Sequence, residues 1–166
     1  MPGTFTHHYA ALARQFRLLR RHLRYGPPGW PGSDAAARAD VLTTLFQGVN
    51  QHLRSLGGDY WIVYGTLLGW HREGRILAHD YDVDFGAPIE RFHEILASLH
   101  RLPPGFAVRD NSHLHGGPKL CIDYEGWEAD LYFFYPDADQ LRVRLRSDIV
   151  SDNLPFPRAW FYPPRP

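Results

Sequence analysis

YWIVYGTLLGWHREGRILAHDYDVDFG, residues 60–86, decides how the chain is read. An apolar strand over Tyr60 to Tyr64 runs into Gly65-Thr66, a tight polar link follows, and Asp80, Asp82 and Asp84 then alternate with Tyr81, Val83 and Phe85. Successive side chains on a strand point to opposite faces, so the carboxylates share one face and the apolar residues the other. Carboxylates packed this closely repel one another unless they share protons or hold a cation. The expectation is a divalent-metal site on a sheet edge, facing a phosphate-bearing substrate.

Outward from that stretch, the periodicity sets the elements on either side. Upstream, Ser33 or Asp34 can cap a helix that carries Val41, Leu42, Leu45, Phe46, Val49, Leu53 and Leu56 on one broad face and stops at Gly57-Gly58. An apolar face of that width belongs against a sheet. Downstream, Pro88 suits the first turn of a helix whose Ile89, Phe92, Ile95, Leu96 and Leu99 point inward, closed by Pro103-Pro104-Gly105. The period then switches to two, with strands expected over 106–109, 119–124, 128–135 and 141–146, and Glu125-Gly126-Trp127 is short enough for an antiparallel hairpin. Helix, strand, acidic strand, helix and several antiparallel strands give an α+β domain with helices packed on a mixed sheet.

At 166 residues, 44% hydrophobic, the chain has the material for one domain with a real core. Within it, 1–33 reads as a basic N-terminal helix and a Pro/Gly linker, 34–150 as a catalytic core, and 151–166 as an irregular Pro/aromatic tail laid across the core. The N-terminal helix, over 9–25, sets Leu12, Phe16, Leu19 and Leu23 roughly opposite Arg14, Arg17, Arg21 and Arg24, and no Asp or Glu precedes Asp34. The whole chain nevertheless balances, with 18 basic and 18 acidic residues, which gives no case for bulk nucleic-acid binding. The single cysteine, Cys121, excludes an internal disulfide framework. The start has no signal-peptide pattern, and the longest near-apolar run, Trp61 to Trp70, is far short of the ~20 residues of a membrane span. The expectation is a soluble, cytoplasmic protein.

Two further features add chemistry to the acidic strand. Asp130 stands in the apolar strand Glu-Ala-Asp-Leu-Tyr-Phe-Phe-Tyr, where a lone acid is costly to desolvate and needs a partner. Beside the acidic strand it would complete a cage with Asp82 and Asp84 for Mg²⁺ or Mn²⁺, hard cations that favour oxygen ligands. A pair of such ions would clamp the attacking and leaving oxygens of a phosphoryl displacement. Gly65 lets backbone approach a phosphate, and a helix starting at Leu67 would aim its N–H groups at the anion. Two other readings stand beside this one: a structural calcium loop or a solvated edge at Asp80, Asp82 and Asp84, and a zinc site from His113, His115 and Cys121, whose spacing matches no common zinc pattern.

Gly-Thr, a D-x-D on an apolar strand and a distal strand acid together resemble the nucleotidyltransferase superfold. The finer pattern is similar to the LicD/fukutin-type phosphotransferases: an aromatic-led strand, Gly65-Thr66-Leu67-Leu68-Gly69, an arginine, a glycine, an isoleucine, D-x-D-x-D, and then Ala129-Asp130-Leu131 through Phe134-Tyr135-Pro136. The resemblance spans roughly residues 42–136. It implies a nucleotidyltransferase-like mixed sheet and a metal-dependent transfer of a phospho-alcohol group, phosphocholine- or ribitol-phosphate-like, from a CDP-activated donor to a hydroxyl of a glycan or small acceptor, with release of CMP. By position, Asp82, Asp84 and Asp130 look like the metal-binding and catalytic carboxylates. Gly65, Thr66, Arg72, Asp80 and Lys119 look like substrate-side residues: the phosphate-proximal turn, a base near the donor diphosphate, an orienting acid and a neutralising cation. Two departures stand out. Ala78-His79 replaces the family's frequent Pro-Trp, and family members usually continue well past residue 166. The chain thus reads as a minimal member, a truncated one, or one whose acceptor site a partner or oligomer completes. The same cage would serve a nucleotidyltransferase that takes an NTP and releases pyrophosphate, and a non-catalytic nucleotide-binding or interaction module could retain the fold.

Overall fold

The computed structural model describes residues 35–143, the backbone of strand 154–157, and two single helical positions, Leu19 and Leu23. The expected N-terminal helix as a whole, its Pro/Gly linker and most of the tail lie outside the described residues.

Helix α1, Ala35–Ser55, follows the expected span, and its stripe is the one read from spacing: Leu42, Leu45, Val49 and Leu53 are fully buried. They face a sheet of strands β1 (Trp61–Ile62), β2 (Asp82–Pro88), β3 (Phe106–Asp110), β4 (Lys119–Tyr124), β5 (Trp127–Asp137), β6 (Gln140–Val143) and β7 (Leu154–Pro157). The main path runs β1-β2-β5-β4-β3, with β6 on the far end of β5 and β7 on β6. Among the described strands only β2 and β5 pair parallel; β1–β2, β3–β4, β4–β5, β5–β6 and β6–β7 are antiparallel. This is the mixed α+β sheet expected of the nucleotidyltransferase-like class.

Alternation divides the sheet cleanly. Val83, Phe85 and Ala87 on β2, Leu120 and Ile122 on β4, and Ala129, Leu131 and Phe133 on β5 form the core with α1. Phe46 stacks on Phe85 at 5.3 Å and Phe92 meets Phe133 edge-on at 5.0 Å. The downstream helix is a 3-10 turn (Ile89–Arg91), α3 (Phe92–Ser98) and a second 3-10 turn (Leu99–Arg101), and His52 Nε2 hydrogen-bonds Ser98 Oγ at 2.8 Å to hold α1 against α3. The opposite face of the sheet carries Asp82 and Asp84, then Glu128, Asp130 and Tyr132, then Lys119 and Cys121. Its far end is closed by a smaller apolar cluster of Val63, Phe134, Leu141 and Val143.

Several boundaries differ from the sequence reading. The first strand is two residues rather than five, because Tyr64 already opens helix α2, Tyr64–Glu73, at a left-handed φ of 49° that turns the chain out of the sheet. The polar link is therefore mostly helix, which starts three residues before the expected Leu67 and holds Gly65-Thr66 in its first turn. Asp80 stands ahead of β2 instead of inside it. A short helix α4, Ser112–His115, occupies an expected turn, and β7 gives the irregular tail an ordered piece. β7 ends the sheet path, the position where Pro155 and Pro157, lacking N–H donors, are tolerated. The β4–β5 hairpin turns on Glu125 and Gly126, both at positive φ (53° and 88°), as a two-residue hairpin loop requires.

Candidate functional site

Strand register assembles the acidic cluster. Parallel pairing sets Asp84 opposite Asp130 and Asp82 opposite Glu128, and the period of two aims Asp82, Asp84 and Asp130 away from the core. One ligand oxygen from each of these three aspartates lies within 4.8 Å of the other two. Asp84 and Asp130 are each only 7% exposed, whereas Asp82 opens to solvent. β1 reaches no further than Phe85 in its pairing, so among the described residues the acidic end of β2 has a strand neighbour only on the β5 side.

Local structure holds each acid in place. Thr66, buried in the first turn of α2, accepts the Asp84 N–H at 2.8 Å on its hydroxyl, and Val63 N–H donates to Asp84 O at 3.1 Å. Thr66 thus anchors the acidic strand, a positioning task distinct from the phosphate contact expected of it. At Gly65 a Cβ would stand 3.4 Å from Asp80 Oδ1, so the missing side chain leaves room for Asp80. The strand entrance, where Ala78-His79 replaces the family's usual pair, is fixed by Tyr81 stacked parallel on Trp127 (6.4 Å, 7°). Arg38 lies 5.1 Å over the Tyr81 ring and donates to Ala78 O.

On the β5 side, Asp130 Oδ2 accepts from Lys119 Nζ at 2.5 Å and from the Tyr132 hydroxyl at 3.2 Å, while Oδ1 accepts from Cys121 Sγ at 2.9 Å. Asn111 Nδ2 donates to Cys121 Sγ, and Tyr64 meets the Tyr132 ring edge-on at 5.2 Å. Arg109 pairs with Glu128 at 2.5 Å, next along the same face.

Electrostatics follow from burial. Desolvation, then the charges of Asp82 and Asp130, push the Asp84 carboxyl up to about 8, and desolvation with Asp130 and Asp80 also raises Asp82. Burial and Asp84 push Tyr64 up to about 12, and burial with Asp130 raises both Tyr132 and Cys121 above their ordinary ranges. Tyr64, Tyr132 and Cys121 therefore keep their protons, and the Tyr132 hydroxyl and the Cys121 thiol donate to Asp130.

Such a cluster fits a hard divalent cation. Its donors are all carboxylate oxygens, and Asp80 Oδ2, beside them, is buried with no hydrogen-bond partner among the described residues. Three aspartates from two strands could hold the ion. Of the other residues singled out from sequence, Lys119 is brought into the group and Asp80 to its margin. Arg72 is exposed in the last turn of α2 and makes no hydrogen bond or ion pair with the three carboxylates. Cys121 contacts Asp130 and Asn111 and belongs to no group with His113 and His115 able to hold a metal, among the described residues. The places of Cys121 and Tyr132 against Asp130, and of Tyr64 against Tyr132, escaped the sequence reading, which weighed Cys121 only as a zinc ligand. The first two were within reach of it: counting outward from the two-residue turn pairs Cys121 with Asp130 and Lys119 with Tyr132.

The family model for the LicD/FKTN/FKRP nucleotidyltransferase domain matches residues 57–166. Among curated proteins, the chain is 30% identical over 103 residues to the ribitol-5-phosphate transferase FKTN of Mus musculus, covering 58% of this chain and 21% of that protein. It is 26% identical over 113 residues to the Homo sapiens protein of the same name, covering 65% of this chain and 24% of that one. The matched stretch thus spans less than a quarter of these relatives' length. No helix among the described residues is long and apolar enough to cross a membrane.

Proposed function

The chain belongs to the LicD/FKTN/FKRP family of nucleotidyltransferase domains, and from that membership we propose that it transfers a phospho-alcohol group, ribitol-phosphate- or phosphocholine-like, from a CDP-activated donor to a hydroxyl of a glycan or small acceptor, releasing CMP. The observation that carries this reading is the convergence of Asp82, Asp84 and Asp130 within 4.8 Å on one sheet face. The proposed catalytic unit is a single domain, with its catalytic region assigned to 34–150.

Asp82, Asp84 and Asp130 would hold Mg²⁺ or Mn²⁺, which supplies Lewis-acid stabilisation of the charge that develops on the donor diphosphate. The chain's own residues do the positioning. Thr66 fixes the backbone of Asp84, Lys119 and Tyr132 fix Asp130, and the Arg38–Tyr81–Trp127 stack fixes the strand that delivers Asp82. Asp82, on the solvent side, leaves the approach open to a donor phosphate. Asp80 can orient it, and Arg72, exposed beyond the cluster, is free to meet the donor's outer portion. Phosphoryl transfer rests mainly on such positioning and on electrostatic stabilisation, with little covalent chemistry for the protein to do.

Asp82→Asn and Asp84→Asn should each lower turnover of a CDP-alcohol by about 10²–10³-fold or more, the order found when a transition-state stabilising group is removed, while circular dichroism stays unchanged. Full activity in either variant sinks the mechanism. Product analysis separates the two transferase readings, because CMP marks phospho-alcohol transfer and pyrophosphate marks nucleotidyl transfer from an NTP.

A further inference from the structure

Lys119 is ion-paired with Asp130 of the carboxylate cluster, and its surroundings define a task more specific than attracting a donor. The residue is 5% exposed. Its ammonium donates to Asp130 Oδ2 at 2.5 Å and to the Tyr132 hydroxyl at 3.3 Å, and it lies 4.7 Å from the centre of the Tyr132 ring. Buried, charge-paired and packed on an aromatic face, it is held at the cluster; to reach a donor it would have to abandon a buried carboxylate, a costly exchange.

The consequence falls on Asp130. A carboxylate that bridges two divalent ions gives one oxygen to each. Here Oδ2 already accepts from the ammonium and from a phenol, and Oδ1 meets only the weak Cys121 thiol donor. A thiol contact gives way to an ion far more readily than a buried ammonium does. One oxygen of Asp130, Oδ1, is therefore open to an ion.

We infer that Lys119 is a built-in counter-cation standing where a second divalent ion would otherwise bind, so that the chain takes up one ion, on one oxygen each of Asp82, Asp84 and Asp130. This rests on the proposed metal dependence and replaces the two-ion clamp expected from sequence with one ion and one ammonium. Lys119 acts through Asp130 and is a positioning residue. Strand register supports the assignment, since Lys119 is two residues from Cys121 on β4 and Asp130 two from Tyr132 on β5, which places all four on one face in adjoining pairs.

Counting Mn²⁺ bound to the full chain, by equilibrium dialysis with metal analysis and by the spin–spin broadening of the Mn²⁺ resonance, tests the assignment. One isolated ion per wild-type chain is expected, two coupled ions in Lys119→Met, which removes the charge and leaves Oδ2 only the Tyr132 phenol, and one in Lys119→Arg, which keeps the charge. Two ions in the wild type overturn the counter-cation and leave the metal reading intact. No ion in the wild type overturns both. A count of one in a folded Lys119→Met overturns the counter-cation alone. Should Lys119→Met fail to fold, the wild-type count decides.

Discussion

Asp84 combines two roles that pull against each other: it is a buried acid in the core of a sheet and a ligand that must ionise. Its carboxyl, pushed up to about 8 from an ordinary 3.8, keeps a proton in the metal-free fold that the unfolded chain has already released at neutral pH. The sign follows by linkage. A group whose pKa is raised on folding contributes stability that is fully present below its unfolded value and is lost as pH rises through the folded one. The metal-free protein should therefore melt at progressively lower temperature between pH 4 and pH 8, and Asp84→Asn should flatten that slope; melts in chelator check both. Ion binding must displace the same proton, so Mn²⁺ affinity should weaken by up to about tenfold per pH unit below pH 8, with proton release visible by calorimetry in buffers of different ionisation heat. Thr66 is the neighbouring control. Thr66→Val leaves the buried Asp84 N–H without its acceptor and should cost about 1–3 kcal/mol in chemical denaturation, whereas Thr66→Ser should cost much less.

Strands β2 and β5 carry the site because each has one face committed to the core and the other to the acids. Close packing where β1 crosses onto β2 sets the spacing. At Gly86 a Cβ would sit 2.4 Å from Trp61 Nε1 and 2.8 Å from Phe134, so that Trp61 and Phe134 can pack together at 5.4 Å on the site's face of the sheet. Gly86→Ala forces those rings apart and should destabilise by about 1–3 kcal/mol or more, seen as a lower denaturation midpoint with an unchanged slope. A smaller loss than that would mean the rings can repack without moving the acidic strand.

Across the whole molecule, what the sequence made legible was whatever depends on period. The α1 stripe, the alternation of Asp82 and Asp84 with Val83 and Phe85, and the hairpin at Glu125-Gly126 rest on spacings that hydrophobic burial alone enforces. The meeting of Asp130 with Asp84 followed from the same logic, since a lone buried strand acid has to find partners. Features decided by side chains distant in sequence stayed hidden. Nothing in YWIVYGTLLG announces that Tyr64 adopts a left-handed turn, ends the expected strand early and opens α2, or that Thr66 spends its hydroxyl on the Asp84 backbone. Cys121 and Tyr132 look like ordinary strand residues until the register places them around Asp130. The hairpin that performs this placement also bears on how the protein folds. Lys119, Cys121, Asp130 and Tyr132 all fall within one turn of chain reversal, whereas Asp82 and Asp84 arrive through a parallel pairing across 46 positions. Local contacts cost little loop entropy and form early, long-range ones later. The ammonium and its carboxylate should thus be joined before the other two acids dock. In stopped-flow experiments, Gly126→Ala at its φ of 88° should slow refolding, while Thr66→Val should mainly speed unfolding. An acid that would repel its future neighbours is, on this order of events, already neutralised when they reach it.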